Sequence, residues 1–118
     1  MKIAILADIH GNSFALDEVF NDIEINDCEQ ILVLGDLVGY YYNPSCVVDR
    51  IKNDSRCITI KGNHEDLLLK AIDDSSFAHK CYLKHGSGLN IAIETLSIDQ
   101  LDWIKALPES KRIELDGI

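Results

Sequence analysis

The chain has 118 residues, enough for one small domain, and its 47% hydrophobic and 26% charged content predicts a packed core and excludes disorder. A net charge of −9 disfavours nonspecific binding to nucleic acid or to an acidic membrane surface, because it neutralises neither. The same acidic excess suits a site in which carboxylates hold cations.

Lys2 to Ala7 reads as a first strand that stops on Asp8-Ile9-His10. His10-Gly11-Asn12 breaks it, and Asn12 or Ser13 can cap a helix whose apolar face is Leu16, Val19, Phe20 and Ile23. Ile31-Leu32-Val33-Leu34 forms a second strand stopping on Gly35-Asp36, with Leu37-Val38-Gly39 after it. Asn43-Pro44 opens a second helix with Val47, Val48 and Ile51 inward. A third strand runs from Arg56 or Cys57 to Ile60 and stops on Lys61-Gly62-Asn63-His64-Glu65. Runs this apolar predict strands buried on both faces. Their alternation with helices predicts parallel pairing through right-handed crossovers.

Beyond Glu65 the pattern is helical, with Leu67, Leu68, Ala71 and Ile72 on one segment and residues 77–84 and 89–95 on two more. Ser97-Ile98-Asp99-Gln100 reads as a capping box opening a helix with Leu101, Ile104 and Leu107 inward, and Pro108 stops it. Ile113 and Leu115 alternate before Asp116-Gly117, which predicts a strand and a tight turn whose returning strand lies beyond Ile118. Residues 1–118 therefore read as a single, truncated domain. Its exposed sheet edge offers a route to self-association.

The four cysteines include no Cys-x-x-Cys pair, so they read as reduced and mostly buried thiols, not a zinc ribbon or disulfide framework. Met1-Lys2 leads straight into a strand without a signal segment, and no apolar stretch is long enough to span a bilayer. The expected location is cytoplasmic.

Ligands of open parallel sheets bind beyond the carboxyl ends of the strands, where all three polar motifs fall. Asp8 and His10, two apart on an extended segment, can grip one divalent ion, and Asp36 on the adjacent strand can reach the same ion or share a second. Asn63 offers a neutral amide oxygen, and His64 can protonate a leaving oxygen. Two metals bridged by a carboxylate and a water are a usual arrangement for phosphate-ester hydrolysis, and mixed nitrogen and oxygen ligands suit manganese, iron, zinc or nickel. Asn12 can touch substrate phosphate or simply cap its helix. His79 and His85 read as surface histidines, and His85 is not counted as a ligand. Tyr40, Tyr41 and Tyr42 can wall the site or pack at the sheet margin, with packing preferred.

Asp8-x-His10, Gly35-Asp36-x-x-Gly39 and Gly62-Asn63-His64-Glu65 resemble the first three motifs of the calcineurin-like metallophosphoesterases. The flanking sequence is similar to small bacterial members of the phosphodiesterase or diadenosine-tetraphosphatase-like kind. The resemblance implies an α/β sandwich of two mixed sheets with flanking helices, of which this chain supplies the first βαβαβ half, further helices and the start of the second sheet. It implies Asp8 and His10 on a first metal, Asp36 bridging, Asn63 on a second metal, His64 as general acid and Glu65 orienting it. The implied reaction is hydrolysis of a phosphomonoester or phosphodiester, nucleotides included, by metal-bound hydroxide. The family's later metal-binding histidines fall beyond Ile118. Two alternatives stand beside this reading: a non-catalytic metal-binding or interaction module, and a chain whose site is completed by a second chain.

Overall fold

The computed structural model describes residues 1–118 and contains three strands and six helices. Strands β1 (Ile3–Leu6), β2 (Gln30–Val33) and β3 (Cys57–Thr59) pair in parallel in the order β1-β2-β3. The register sets Leu6 beside Val33 and Val33 beside Thr59. The strands thus end level, and the polar residues that follow each one emerge side by side.

Helices α1 (Ser13–Ile25) and α2 (Pro44–Asn53) are the two crossovers. Both steps move across the sheet in the same direction, so right-handed connections place both helices on one face. There Ala4, Leu6, Ile31 and Val33 meet Leu16, Phe20, Ile23, Val47, Val48 and Ile51 in one apolar core. Asn12 caps α1, its Oδ1 accepting the Ala15 N–H at 3.1 Å. Pro44 occupies the first turn of α2, where its missing N–H costs nothing.

The other face of the sheet is open. Ile5 is 65% exposed and Leu34 47%, which corrects the expectation of strands buried on both faces. The cause is the topology, which puts both crossover helices on the same side. Ser110, Lys111 and Ile113 border a cavity of about 210 Å³ on the open side, against Leu32, Leu34, Ile58 and Ile60.

The remaining helices are α3 (Asn63–Asp73), α4 (Ser75–His85), α5 (Gly88–Thr95) and α6 (Ile98–Ala106). α3 packs on α4 and α5, while α5 and α6 pack on α2. The expected capping box forms: Gln100 Oε1 accepts the Ser97 N–H at 2.9 Å, and Ser97 Oγ accepts the Gln100 N–H at 3.2 Å. Gln100 Nε2 also donates to Ser45 O and Asp49 Oδ1, which ties α6 to α2. Val19 and Ile72, expected inward, lie at the margin with 37% exposure each.

No strand forms at Ile113–Leu115, so the expected start of a second sheet is absent from residues 1–118. The turn does form. Leu115 and Ile118 exchange N–H···O bonds of 3.0 Å, and Asp116 and Gly117 are both left-handed, at φ 49° and 78°. No helix is long and apolar enough to cross a membrane.

Candidate metal centre

The loops after β1 and β2 are stitched together by their backbones. His10 N donates to Asp36 O at 2.8 Å and Gly11 N to Leu37 O at 2.7 Å, while Tyr41 N returns to His10 O at 3.0 Å. Both loops turn sharply, and Asp8, His10, Asp36 and Tyr40 all adopt left-handed backbone, with φ of 57°, 50°, 57° and 62°. Aspartate and histidine tolerate that region, and tyrosine does so rarely. Concentrated left-handed strain of this kind is characteristic of functional sites.

The result is a cluster of donors. One ligand atom each from Asp8, His10 and Asp36 lies within 4.8 Å of the others. His10 Nδ1 is 2.9 Å from Val38 O, and a carbonyl can only accept, so Nδ1 carries the ring proton. In the neutral ring Nε2 is then a lone pair, and it faces Asp8 Oδ1 at 3.6 Å. Two acceptors facing each other repel unless a cation lies between them. A backbone carbonyl fixing the tautomer of a histidine is also the usual support of a metal ligand. The donor set therefore fits a divalent transition ion.

The loop after β3 completes the arrangement. Glycine is required at Gly35 and Gly62, because a Cβ on the first would collide with the Gly62 backbone and one on the second with Asp36. That contact brings the start of α3 onto Asp36. His64 N donates to Asp36 Oδ1 at 2.9 Å. The Asn63 amide lies against the same carboxylate, its nitrogen within 3.1 and 3.2 Å of the two oxygens in the orientation that hydrogen bonding favours. A half-turn of that amide presents its oxygen instead, the form a shared cation would select.

His64 is buried, and its ring centroid is 4.5 Å from that of His10. Burial is the main force holding its pKa below the ordinary histidine value; the nearby His10 and His85 add to it, while Asp36 and Asp8 oppose it. Its Nδ1 has no hydrogen-bond partner.

Glu65 is fully buried beneath the Asp36 turn. Its carboxylate accepts the N–H groups of Asp36 at 2.6 Å, Leu37 at 2.9 Å, Val38 at 3.4 Å and Gly62 at 2.9 Å. Burial pushes the carboxyl above its ordinary value, and the bonds from Gly62, Asp36 and Leu37 pull against that shift. These bonds reach the backbone of the Asp36 turn and not the His64 ring. They also start α3 at Asn63, earlier than the apolar pattern indicates. Asn12, besides capping α1, borders an apolar cleft with Asp8 and Tyr41.

The structure thus brings Asp8, His10, Asp36, Asn63 and His64 to one place, with Glu65 as the clamp below and Asn12 to one side. It adds two residues that sequence reasoning had set aside. Tyr40 does not pack at the sheet margin: its ring stands edge-on to His10 at 4.9 Å. His85, the last residue of α4, is half-buried, with its ring 5.3 Å from His64. The nearness of Tyr40 to Gly39 was a usable signal, whereas the arrival of His85 depends on how α4 packs. His79 is exposed, as expected.

Comparisons with known proteins show related sequences and folds. An uncharacterised protein of Methanocaldococcus jannaschii is 44% identical over 63 residues, covering 53% of this chain and 26% of the relative. A crystal structure of a metallophosphoesterase from Sphaerobacter thermophilus superposes with a TM-score of 0.76 at 25% identity, over 97% of this chain and 44% of the other. A proposed diadenosine tetraphosphatase matches in fold with a TM-score of 0.67 at 22% identity, over 90% of this chain and 42% of the other. The chain spans less than half the length of each of these relatives. The calcineurin-like phosphoesterase model matches residues 1–116, and the chain belongs to that family.

Proposed function

We infer that this chain carries the metal-binding part of a phosphoester hydrolase acting on a phosphomonoester or phosphodiester. The observation that carries this reading is His10 Nε2 facing the Asp8 carboxylate at 3.6 Å, with Asp36 in reach of both. Asp8 and His10 would hold one divalent ion, Asp36 would span to a second, and the Asn63 amide oxygen would face that second ion. Two such ions, when bound, activate a water and neutralise phosphoryl oxygens. His64 would give a proton to the leaving oxygen. Burial holds its pKa below the ordinary histidine value, which makes the protonated ring a stronger acid toward that oxygen. Glu65 keeps the Asp36 turn rigid from below.

A small phosphorylated nucleotide is the favoured substrate class, supported by the neighbour named as a proposed diadenosine tetraphosphatase. Four free cysteines, of which only Cys81 is buried and Cys46 is exposed, against the expectation of mostly buried thiols, support a reducing, cytoplasmic setting.

The test is turnover of p-nitrophenyl phosphate and bis(p-nitrophenyl) phosphate with manganese added. Metal-dependent hydrolysis that falls at least a hundredfold in Asp36→Ala supports the reading, and hydrolysis indifferent to metal or to Asp36 contradicts it. A second reading, completion of the site by another chain, is favoured by the open apolar face at Ile5 and Leu34. It predicts activity per molecule that rises with protein concentration.

A further inference from the structure

Two residues that the metal reading does not use border His64: Tyr40, which also meets His10, and His85, which meets His64 and Tyr40. Tyr40 Oη and His85 Nδ1 are 3.1 Å apart, within hydrogen-bond distance. The Tyr40 ring lies tilted against His64 at 5.1 Å and edge-on to His85 at 5.6 Å. His10, His64 and His85 thus follow one another around the Tyr40 ring, with His64 in the middle.

Both walls are fixed in place. Tyr40 sits in left-handed backbone, and a Cβ on Gly88 at the start of α5 would collide with its amide. His85 closes α4, where Gly86 N caps the helix by donating to Tyr82 O at 2.9 Å. Tyr40 nevertheless remains 44% exposed, so its ring is not spent on the core.

In-line displacement puts nucleophile and leaving group on opposite sides of phosphorus. The inference rests on the reading above, which places the Asp8-His10-Asp36 cluster on the nucleophile side and His64 at the leaving oxygen. Tyr40 and His85, which both pack against the His64 ring, then border the leaving group. We propose that Tyr40 and His85 form a leaving-group subsite for a flat ring, that of a nucleoside or an aryl alcohol. The exposed face of Tyr40 stacks on the ring, and the hydroxyl–imidazole pair holds the phenol at the angle that makes stacking possible. An alkyl alcohol gains nothing from such a wall.

The test compares two probes that differ only in that ring. Phenylphosphonate and methylphosphonate carry the same head group and are not hydrolysed, so calorimetric titration of each into the zinc-supplemented protein reads binding without turnover. Phenylphosphonate is expected to bind roughly 2- to 12-fold more tightly. Tyr40→Asn, which tolerates left-handed backbone but lacks the ring, should bring the ratio close to one. His85→Ala should lower the ratio too, and methylphosphonate affinity should stay within about twofold in both variants. Equal binding of the two probes by the unaltered protein, or a ratio unchanged in both variants, overturns the subsite and leaves the phosphoester reading standing. Binding of neither probe overturns both.

Discussion

Glu65 holds Asp36 from below: its Oε1 accepts the Asp36 N–H at 2.6 Å, while its other oxygen takes the Leu37 N–H at 2.9 Å. A buried carboxylate is the one side chain that can satisfy several converging N–H groups with two oxygens. Glu65→Gln replaces one acceptor with an NH₂ that faces donors. Leaving buried donors unpaired costs about 2–3 kcal/mol. Urea unfolding followed by circular dichroism should show that loss as a lower midpoint, and an unchanged midpoint would remove Glu65 from the clamp.

Gly35 answers for the approach of the third loop. Its φ is 90°, and a Cβ there would meet the Gly62 backbone. Gly35→Ala therefore adds backbone strain to a collision with main chain, and a loss of about 2–4 kcal/mol is expected. Gly86→Ala is the control, because its φ of 80° is also left-handed but a Cβ there meets nothing. Thermal unfolding of the pair should show the larger loss at Gly35, and equal losses would mean that the collision is relieved by movement.

Acid sensitivity should trace in part to the start of β3. Arg56 Nη2 bonds Asp54 Oδ2 at 2.8 Å and Glu24 Oε1 at 2.6 Å. The Arg56 side-chain hydrogen bond holds the Asp54 carboxyl below its ordinary 3.8, with burial opposing. Because the folded value is the lower one, the pair stabilises fully above that ordinary value. Its contribution disappears as pH falls through the depressed value. Asp54→Asn should lower stability at neutral pH, and its deficit relative to the unaltered protein should shrink as pH falls below 3.8. A deficit that is constant with pH would exclude the ion pair as its source.

Much of the site was legible because its chemistry is local to the strand ends. Asp8, His10, Asp36, Asn63 and His64 each fall within a few residues of an apolar run, and parallel pairing carries such residues to one edge. The one-sided sheet was less legible. The outward residues Ile5 and Leu34 are as apolar as the inward Leu6 and Val33, so hydrophobicity alone does not say which face the helices take. Only the strand order, with both crossovers moving the same way, decides it. The Ile113–Leu115 alternation signalled a strand, but its turn closed on Ile118 without a ladder beside it. His85 was hidden for another reason. Residues 45 apart in sequence meet when Tyr40 Oη reaches His85 Nδ1, and no spacing rule connects the end of one helix to a turn after β2.

The central claim is that Asp8, His10 and Asp36 form a metal centre. Its most direct measurement is a manganese titration followed by the paramagnetic resonance of the free ion, on the unaltered protein and on His10→Ala, Asp36→Ala and His79→Ala. The account predicts saturable binding that is lost or greatly weakened in His10→Ala and Asp36→Ala and is unchanged in His79→Ala, whose side chain is exposed away from the cluster. Absence of saturable binding, or equal binding by all four proteins, would contradict it.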